Sequence, residues 1–405
     1  MTDQREGIVV LGSTGSVGIN TLAVVRENLD LFRIDGLSCN NNIELMAEQI
    51  REFKPEVVSV SKEKAELLRE KIRNFAKDIT ILTGNNGQVE LAAHPNTSKL
   101  VAAVVGAIGI EPVLAGIEAN KTIALANKES LVLAGALIIE QAEKHDVQIL
   151  PIDSEHNAIF QSLQNNRLKD LDHITLTASG GPFRETPLAD FKDIELKDAL
   201  NHPNWTMGEK ITIDSATMMN KCLEIIEAKW LFRLHPDQIK VLVHPQSIVH
   251  SMVTFKDAST ICQMGVPDMK IPIANCLGYP QRIKSGSQFL DLAAVHQLSF
   301  QNPDIEKFPT IGLAYDVLEL GEGAPAALNG GNEVLVRLFL EGKIQFLKIF
   351  ELLQELVGQL KSIDHDGAPD NFTFLDKISD LSDALAADRF GREFISRQLT
   401  QKGKS

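Results

Sequence analysis

From Ile8 to Asp153, short apolar runs alternate with stretches of helical periodicity. The runs at Ile8–Leu11, Phe32–Ser38, Val57–Ser61, Ile79–Thr83, Leu100–Gly106, Thr122–Ala126 and Gln148–Ile152 are rich in β-branched residues and predict strands. Between them, Ser16–Asn28, Ile43–Phe53, Lys62–Ala76 and Ser130–His145 carry apolar residues at helical spacing. Strands that lack a polar face predict a parallel sheet covered on both sides. The expected fold class is therefore α/β, with an N-terminal doubly wound Rossmann-type parallel sheet.

Beyond Asp153 the pattern changes. Strand-like runs at His173–Thr177, Ile239–Val243, Ile248–Phe255 and Ser259–Met264 are mixed with helices and with a loop between Ser179 and Gly208 that holds Gly, Pro and Trp. This predicts a central α+β domain whose loops carry chemistry. The chain then turns irregular and polar from about Gly278 to Phe308. Helical periodicity returns in Ile311–Leu320, Gly331–Leu340, Lys348–Leu360 and Ile378–Leu399, which predicts a C-terminal helical bundle. The expected division is 1–153, 154–278, a linker over 279–309, and 310–405.

Composition narrows the function. With 405 residues, 44% of them apolar, the chain can bury a large core in two or three domains. A net charge of -14 opposes nucleic acid and anionic membranes as partners, because nothing offsets repulsion from phosphate. Small anions need only local donors. Cys39, Cys222, Cys262 and Cys276 form no CxxC pair or zinc spacing, and the N-terminus lacks a basic-plus-apolar signal segment, so a reduced cytoplasmic location is expected. No apolar run approaches the roughly 20 residues of a membrane span.

Leu11 leads into GSTGSVG, which puts Gly12, Gly15 and Gly18 at a strand-to-helix turn, where backbone N–H groups face a pyrophosphate and Gly permits close approach. Ser13, Thr14 and Ser16 add hydroxyl donors. The spacing is G-x-x-G-x-x-G, and its place after the first strand is what favours a dinucleotide. At the tip of the second strand, SCNNN holds no acidic residue to grip a ribose, which points to NADP, although it holds no Arg or Lys to grip the 2′-phosphate either. Asn40, Asn41 and Asn42 read either as phosphate donors or as a turn.

In PIDSEHNAIF, Asp153 and Glu155 stand two apart at the end of an apolar run, and an extended chain would point both to one side. Either they form a solvated acidic turn or they share a divalent cation. A third carboxylate is available in DSATMMNKCLEIIEAKW, where Ala216–Trp230 reads as one helix carrying Glu224 among apolar neighbours. Carboxylates without Cys or His partners select a hard ion, Mg²⁺ or Mn²⁺. Ser215, Asn220 and Lys221, with Ser179 before Gly180 and Gly181, form a candidate small-anion cradle. His202, Trp205 and Met207 in HPNWTMG read as a closing lid or as a rigid surface loop.

Together these residues resemble the 1-deoxy-D-xylulose 5-phosphate reductoisomerase family. The matching strings are GSTGSVG at 12–18, LANKESLV at 125–132, LPIDSEHNAIFQ at 150–161, SGGPFRETPL at 179–188, HPNWTMG at 202–208, DSATMMNKCLEIIEA at 214–228, HPQSIVHSMV at 244–253, PDM at 267–269 and ALNGGNE at 327–333. The resemblance implies that Asp153, Glu155 and Glu224 bind the metal, and that Ser179, Ser215, Asn220 and Lys221 hold a substrate phosphate. It places Lys128 and Ser154 near the reacting carbons. His202, Trp205 and Met207 would belong to a flap, and His156 and His250 would line the pocket. NADPH contacts are implied at Gly12, Ser13, Thr14, Gly15, Ser16, Val17, Asn41, Asn42, Asn127, Glu129 and Gly208.

The implied reaction is a metal-assisted rearrangement of the phosphosugar followed by hydride reduction from NADPH, carried out by a homodimer. Two departures stand out. Asn41 takes a place where the family usually has a basic residue, and Cys222 one where Gly is common. The competing readings are a metal-independent NAD(P) dehydrogenase of another phosphorylated substrate and a nucleotide sensor without catalysis.

Overall fold

The computed structural model describes residues 4–202, 208–365 and 373–402. In chain order its first part alternates β1 (Glu6–Leu11), α1 (Ser16–Arg26), β2 (Phe32–Ser38), α2 (Ile43–Phe53), β3 (Val57–Val60), α3 (Ala65–Ile72), β4 (Thr80–Thr83) and α4 (Gly84–Ala92). It continues with β5 (Lys99–Ala102), α5 (Ile110–Glu118), β6 (Thr122–Leu125), α6 (Lys128–Lys144), β7 (Ile149–Pro151) and α7 (Ser154–Leu163). Then come β8 (Leu171–Ala178), α8 (Leu196–Ala199), α9 (Glu209–Ala216), α10 (Met219–Phe232), β9 (Ile239–Val243), β10 (Val249–Phe255), β11 (Thr260–Met264) and α11 (Lys270–Gly278). The helices α12 (Leu292–Val295), α13 (Thr310–Leu320), α14 (Ala324–Leu340), α15 (Phe346–His365), α16 (Thr373–Asp376) and α17 (Leu381–Lys402) follow.

The chain forms two compact units. One takes Met1–Ser130, Ile138–Phe160 and Asp268–Phe289; the other takes Leu131–Leu137, Gln161–Pro267 and Leu290–Ser405.

The first unit is built on a seven-stranded sheet in the order β4-β3-β2-β1-β5-β6-β7. Every neighbouring pair in it is parallel. Ile8, Val9, Val10 and Leu11 are all fully buried, as a central strand covered on both faces requires. The order grows outward from β1 in both directions, so β1 and β5 flank the point where the winding reverses. Ligands of such sheets bind outside the carboxyl ends of the strands at that point. The helix α11 returns to this unit and packs against α1.

The second unit holds a four-stranded sheet, β11-β10-β8-β9, in which β10 runs antiparallel to β8 and β11 while β8 and β9 are parallel. Its helices include a C-terminal group in which α14 packs on α15 and α17, and α13 packs on α10 and α15.

Local differences from the sequence reading have physical causes. The stretch expected as one helix over Ala216–Trp230 is broken: α9 ends at Ala216 and α10 begins at Met219. Met218 adopts a left-handed φ of 57°, and the Thr217 hydroxyl bonds back to the Ile213 carbonyl at 2.9 Å, so the ladder cannot run through. Glu155 lies in the first turn of α7, not on an extended chain, so it is a strand-to-helix turn that brings it beside Asp153. Among the described residues, no helix is long and apolar enough to cross a membrane.

Candidate active site

The carboxyl edge of the seven-stranded sheet gathers most of the residues singled out in the first unit. After β1, Gly12 turns with φ 78° and α1 starts at Ser16, with Gly15 as an N-cap that supplies no side-chain hydrogen bond. The first N–H groups of α1 are thus left for an anion. A Cβ on Gly18 would meet the Gly12 carbonyl oxygen at 2.3 Å and Ser13 Cα at 2.5 Å, so only glycine lets the helix sit this close to the loop. Gly15 and Ser16 are exposed, while Thr14 and Val17 are half-buried.

Ser13 departs from the expectation of a hydroxyl donor. It is fully buried, and its Oγ donates to Gln49 Oε1 at 2.7 Å, while Gln49 Nε2 donates to the Ser13 carbonyl at 2.9 Å. Ser38 completes the brace: its Oγ accepts from Gly12 N–H at 3.0 Å. Both bracing residues come from β2 and α2, outside the glycine string, and no local pattern marks them.

At the tip of β2, Asn42 caps α2 by accepting from Leu45 N–H at 3.2 Å, and Asn41 is exposed beside it. Of the two readings of this stretch, the turn applies to Asn42. After β6, Asn127 caps α6 by accepting from Ser130 N–H at 3.0 Å and donates to the carbonyls of Val104 and Gly106 at 2.6 and 3.1 Å. It also donates to the buried Glu129 at 3.2 Å, and so ties the loops after β5 and β6 together.

Lys128, the first residue of α6, places its ammonium 2.9 Å from Asp153 Oδ2. A carboxylate oxygen of Asp153 and one of Glu155 lie within 4.8 Å of each other. An ion about 2.1 Å from each oxygen fits this spacing with little movement, and the donors are all hard oxygens. Ser154 Oγ donates to Glu155 Oε2 at 2.5 Å, and His156 is fully buried on α7.

The turn carrying the pair is clamped from within. Asn157 N–H donates to the Asp153 carbonyl at 2.8 Å, and its side chain donates to the Pro151 carbonyl at 2.9 Å and to Asn275 Oδ1 at 3.1 Å. Cys276 Sγ also donates to the Pro151 carbonyl, at 3.2 Å. The sequence reading missed Asn157, Asn275 and Cys276. The first adjoins the acidic string, but the other two lie more than a hundred residues away, on α11.

In the second unit, Ser179 follows β8 and precedes two glycines with left-handed φ, Gly180 at 85° and Gly181 at 68°. Ser179 Oγ accepts from Gly181 N–H at 3.3 Å and lies 3.2 Å from His202 Nε2. Burial lowers the pKa of His202, so the neutral ring is favoured. Gly181 backs onto Ser215 near the end of α9: a Cβ there would stand 2.7 Å from the Ser215 carbonyl oxygen.

On α10, Glu224 is fully buried and receives Asn220 Nδ2 at 2.5 Å as well as the Lys221 ammonium. Lys221 also donates to the Thr177 carbonyl at 2.5 Å. Burying a carboxylate is tolerable because donors one turn away meet it. Gly208 is the N-cap of α9, and His250 is buried on β10. Trp205 and Met207 lie outside the described residues.

Family models match the chain in three successive stretches. "1-deoxy-D-xylulose 5-phosphate reductoisomerase" covers residues 8–135, its "C-terminal domain" covers 149–232, and "DXP reductoisomerase C-terminal domain" covers 264–394. The chain belongs to the 1-deoxy-D-xylulose 5-phosphate reductoisomerase family. A reductoisomerase of Trichlorobacter lovleyi is 47% identical over 385 residues, covering 95% of each chain. A crystal structure of a DOX-P reductoisomerase in complex with NADPH, fosmidomycin and magnesium superposes with a TM-score of 0.92 at 40% identity, covering 99% of this chain and 100% of that one. The Zymomonas mobilis reductoisomerase in complex with NADPH gives a TM-score of 0.87 at 36% identity, over 98% and 99% of the two chains. The first two matched stretches take in the glycine loop, the acidic turn and α10.

Proposed function

We infer that this chain converts 1-deoxy-D-xylulose 5-phosphate into 2-C-methyl-D-erythritol 4-phosphate with NADPH and Mg²⁺ or Mn²⁺, a step of non-mevalonate isoprenoid biosynthesis. The observation that carries the residue-level reading is the shared edge: the glycine turn after β1, Lys128 after β6 and Asp153 after β7 all leave the carboxyl ends of strands in one sheet. In this reading residues 1–153 bind the nucleotide, 154–278 carry the catalytic loops, and 310–405 form the helical part.

Asp153 and Glu155, joined by Glu224, hold the divalent ion. When bound, the ion lends Lewis-acid polarisation to the substrate's oxygens, and NADPH lends the hydride. Lys128 keeps a positive charge beside Asp153, where oxyanion charge develops. Ser179, Ser215, Asn220 and Lys221 orient the phosphate, so that binding energy far from the reacting carbons is used to align them. Asn220 and Lys221 donate to Glu224 in the structure, and their turn toward phosphate would release that carboxylate for the ion. In this reading Ser154 and His156 serve the acidic turn, and His202 beside Ser179 and His250 on β10 serve the substrate.

Two further readings complete the picture. A homodimer is supported by the edge strand β11, which leaves Ile261 exposed. A reducing, cytoplasmic location is supported by four free thiols, three of them buried.

The test is the reduced-nicotinamide absorbance after 1-deoxy-D-xylulose 5-phosphate is added to enzyme and NADPH. It should fall with Mg²⁺ or Mn²⁺ and hold steady in excess chelator, with NADPH still bound. Undiminished turnover in chelator contradicts the metal role.

A further inference from the structure

Two buried polar bonds run from the C-terminal helices to the segment that carries Ser215. Asn332, fully buried on α14, donates its amide to Asp214 Oδ1 at 2.8 Å. Asp214 in turn pairs with Lys210 at 3.0 Å, and Lys210 pairs with Glu333, the neighbour of Asn332, at 3.1 Å. Thr310, the fully buried first residue of α13, donates Oγ1 to the Thr217 carbonyl at 2.7 Å.

Asp214 and Thr217 stand on either side of Ser215, at the break between α9 and α10. At the break the Thr217 N–H keeps the Ile213 carbonyl and the Met218 N–H takes that of Ser215, but the left-handed Met218 redirects the chain and local bonds alone do not fix its course. Here the missing constraints come from α13 and α14. The same segment is backed by Gly181, so its position decides whether Ser215 and the Ser179–Gly181 loop face a common anion.

We propose that Asn332 and Thr310 are positioning residues for the substrate phosphate, holding the α9–α10 break so that Ser215 meets the Ser179 loop. This gives a task to the ALNGGNE string and to the C-terminal helices beyond filling a core. Apolar side chains of similar size would pack α13 and α14 equally well, whereas buried polar pairs fix one register. The inference rests on the assignment of Ser215 to the phosphate.

The experiment compares Thr310→Val, Thr310→Ser, Asn332→Leu and Ser215→Ala in the full-length enzyme. The measured quantities are KM for 1-deoxy-D-xylulose 5-phosphate, KM for NADPH, kcat, and competitive inhibition by inorganic phosphate. Thr310→Val and Asn332→Leu should raise the phosphosugar KM and the phosphate inhibition constant about fivefold, as loss of one hydrogen bond gives. The NADPH KM should stay within about twofold, so that the damage is confined to the phosphosugar. Thr310→Ser keeps the hydroxyl and should match wild type, whereas a packing role for the methyl group, which valine retains, would damage Thr310→Ser and spare Thr310→Val. Should Asn332→Leu not fold, the two Thr310 variants decide alone.

An unchanged phosphosugar KM in Thr310→Val overturns the inference, as does equal damage in Thr310→Ser. If Ser215→Ala raises KM while Thr310→Val does not, only the positioning role is lost. If Ser215→Ala is silent, the phosphate assignment fails and this inference falls with it.

Discussion

Lys128 Nζ stands 2.9 Å from Asp153 Oδ2, and strand register makes this a property of the fold. Leu125 of β6 is paired with Pro151 of β7, so the residues that follow the two strands leave the sheet side by side. The ammonium is therefore fixed where negative charge gathers. Lys128→Gln keeps a polar side chain, one atom shorter, and removes the charge. It is expected to lower kcat by on the order of 10²–10³ while the far-UV dichroism stays that of wild type. An unchanged kcat would remove Lys128 from the chemistry.

Asn157 acts on the same turn from behind. By holding the Pro151 carbonyl and Asn275, it sets the direction in which the chain presents Asp153. Residues that orient metal ligands typically alter affinity by one to two orders of magnitude. Asn157→Leu should weaken Mn²⁺ binding about tenfold with NADPH affinity unaltered. Mn²⁺ affinity equal to wild type would reduce the clamp to ordinary packing.

Gly18 bears on the glycine turn proposed for the cofactor and not on the acidic turn proposed for the metal. A valine there would drive its Cβ into the Gly12 carbonyl and Ser13, and overpacking of this kind costs about 1–3 kcal/mol. Gly18→Val should weaken NADPH binding at least about tenfold, measured by nicotinamide fluorescence, and leave Mn²⁺ binding intact. Retention of NADPH affinity would place the pyrophosphate away from this turn.

Much of the first unit was legible because its strands are apolar on both faces and its helices are periodic. The alternation from β1 to β7 follows directly from those patterns. The helix α4 was not legible: it opens with GNNG, whose residues favour turns, and its helix forms against α5. The break at Met218 was hidden because Ala216, Met218 and Met219 are good helix formers, while the left-handed φ and the Thr217 hydroxyl that interrupt them leave no mark on the apolar period. Within the site, acidic, glycine and hydroxyl residues announced themselves in short strings. Their supports did not. Gln49, Asn275 and Asn332 act across long sequence separations, and a single buried amide in a helix carries no local signal of its partner.

His202 gives the pH dependence its sign. Burial lowers its pKa below the ordinary 6.5, so the folded state binds the proton less readily than the unfolded chain. Its contribution to stability is full above 6.5 and is lost as pH falls through the lowered folded value. In urea unfolding, wild type should lose stability relative to His202→Gln only below pH 6.5. A difference that grows as pH rises above 6.5 would contradict the burial of the neutral ring.

The central claim is that Asp153, Glu155 and Glu224 share one divalent ion, and Mn²⁺ binding followed by electron paramagnetic resonance tests it most directly. Wild type should bind one ion per chain, and Asp153→Asn, Glu155→Gln and Glu224→Gln should each weaken it by at least about tenfold, as loss of a charged ligand does. Undiminished Mn²⁺ affinity in Glu224→Gln, with Asp153→Asn impaired, would show that α10 supplies no ligand and would contradict the account.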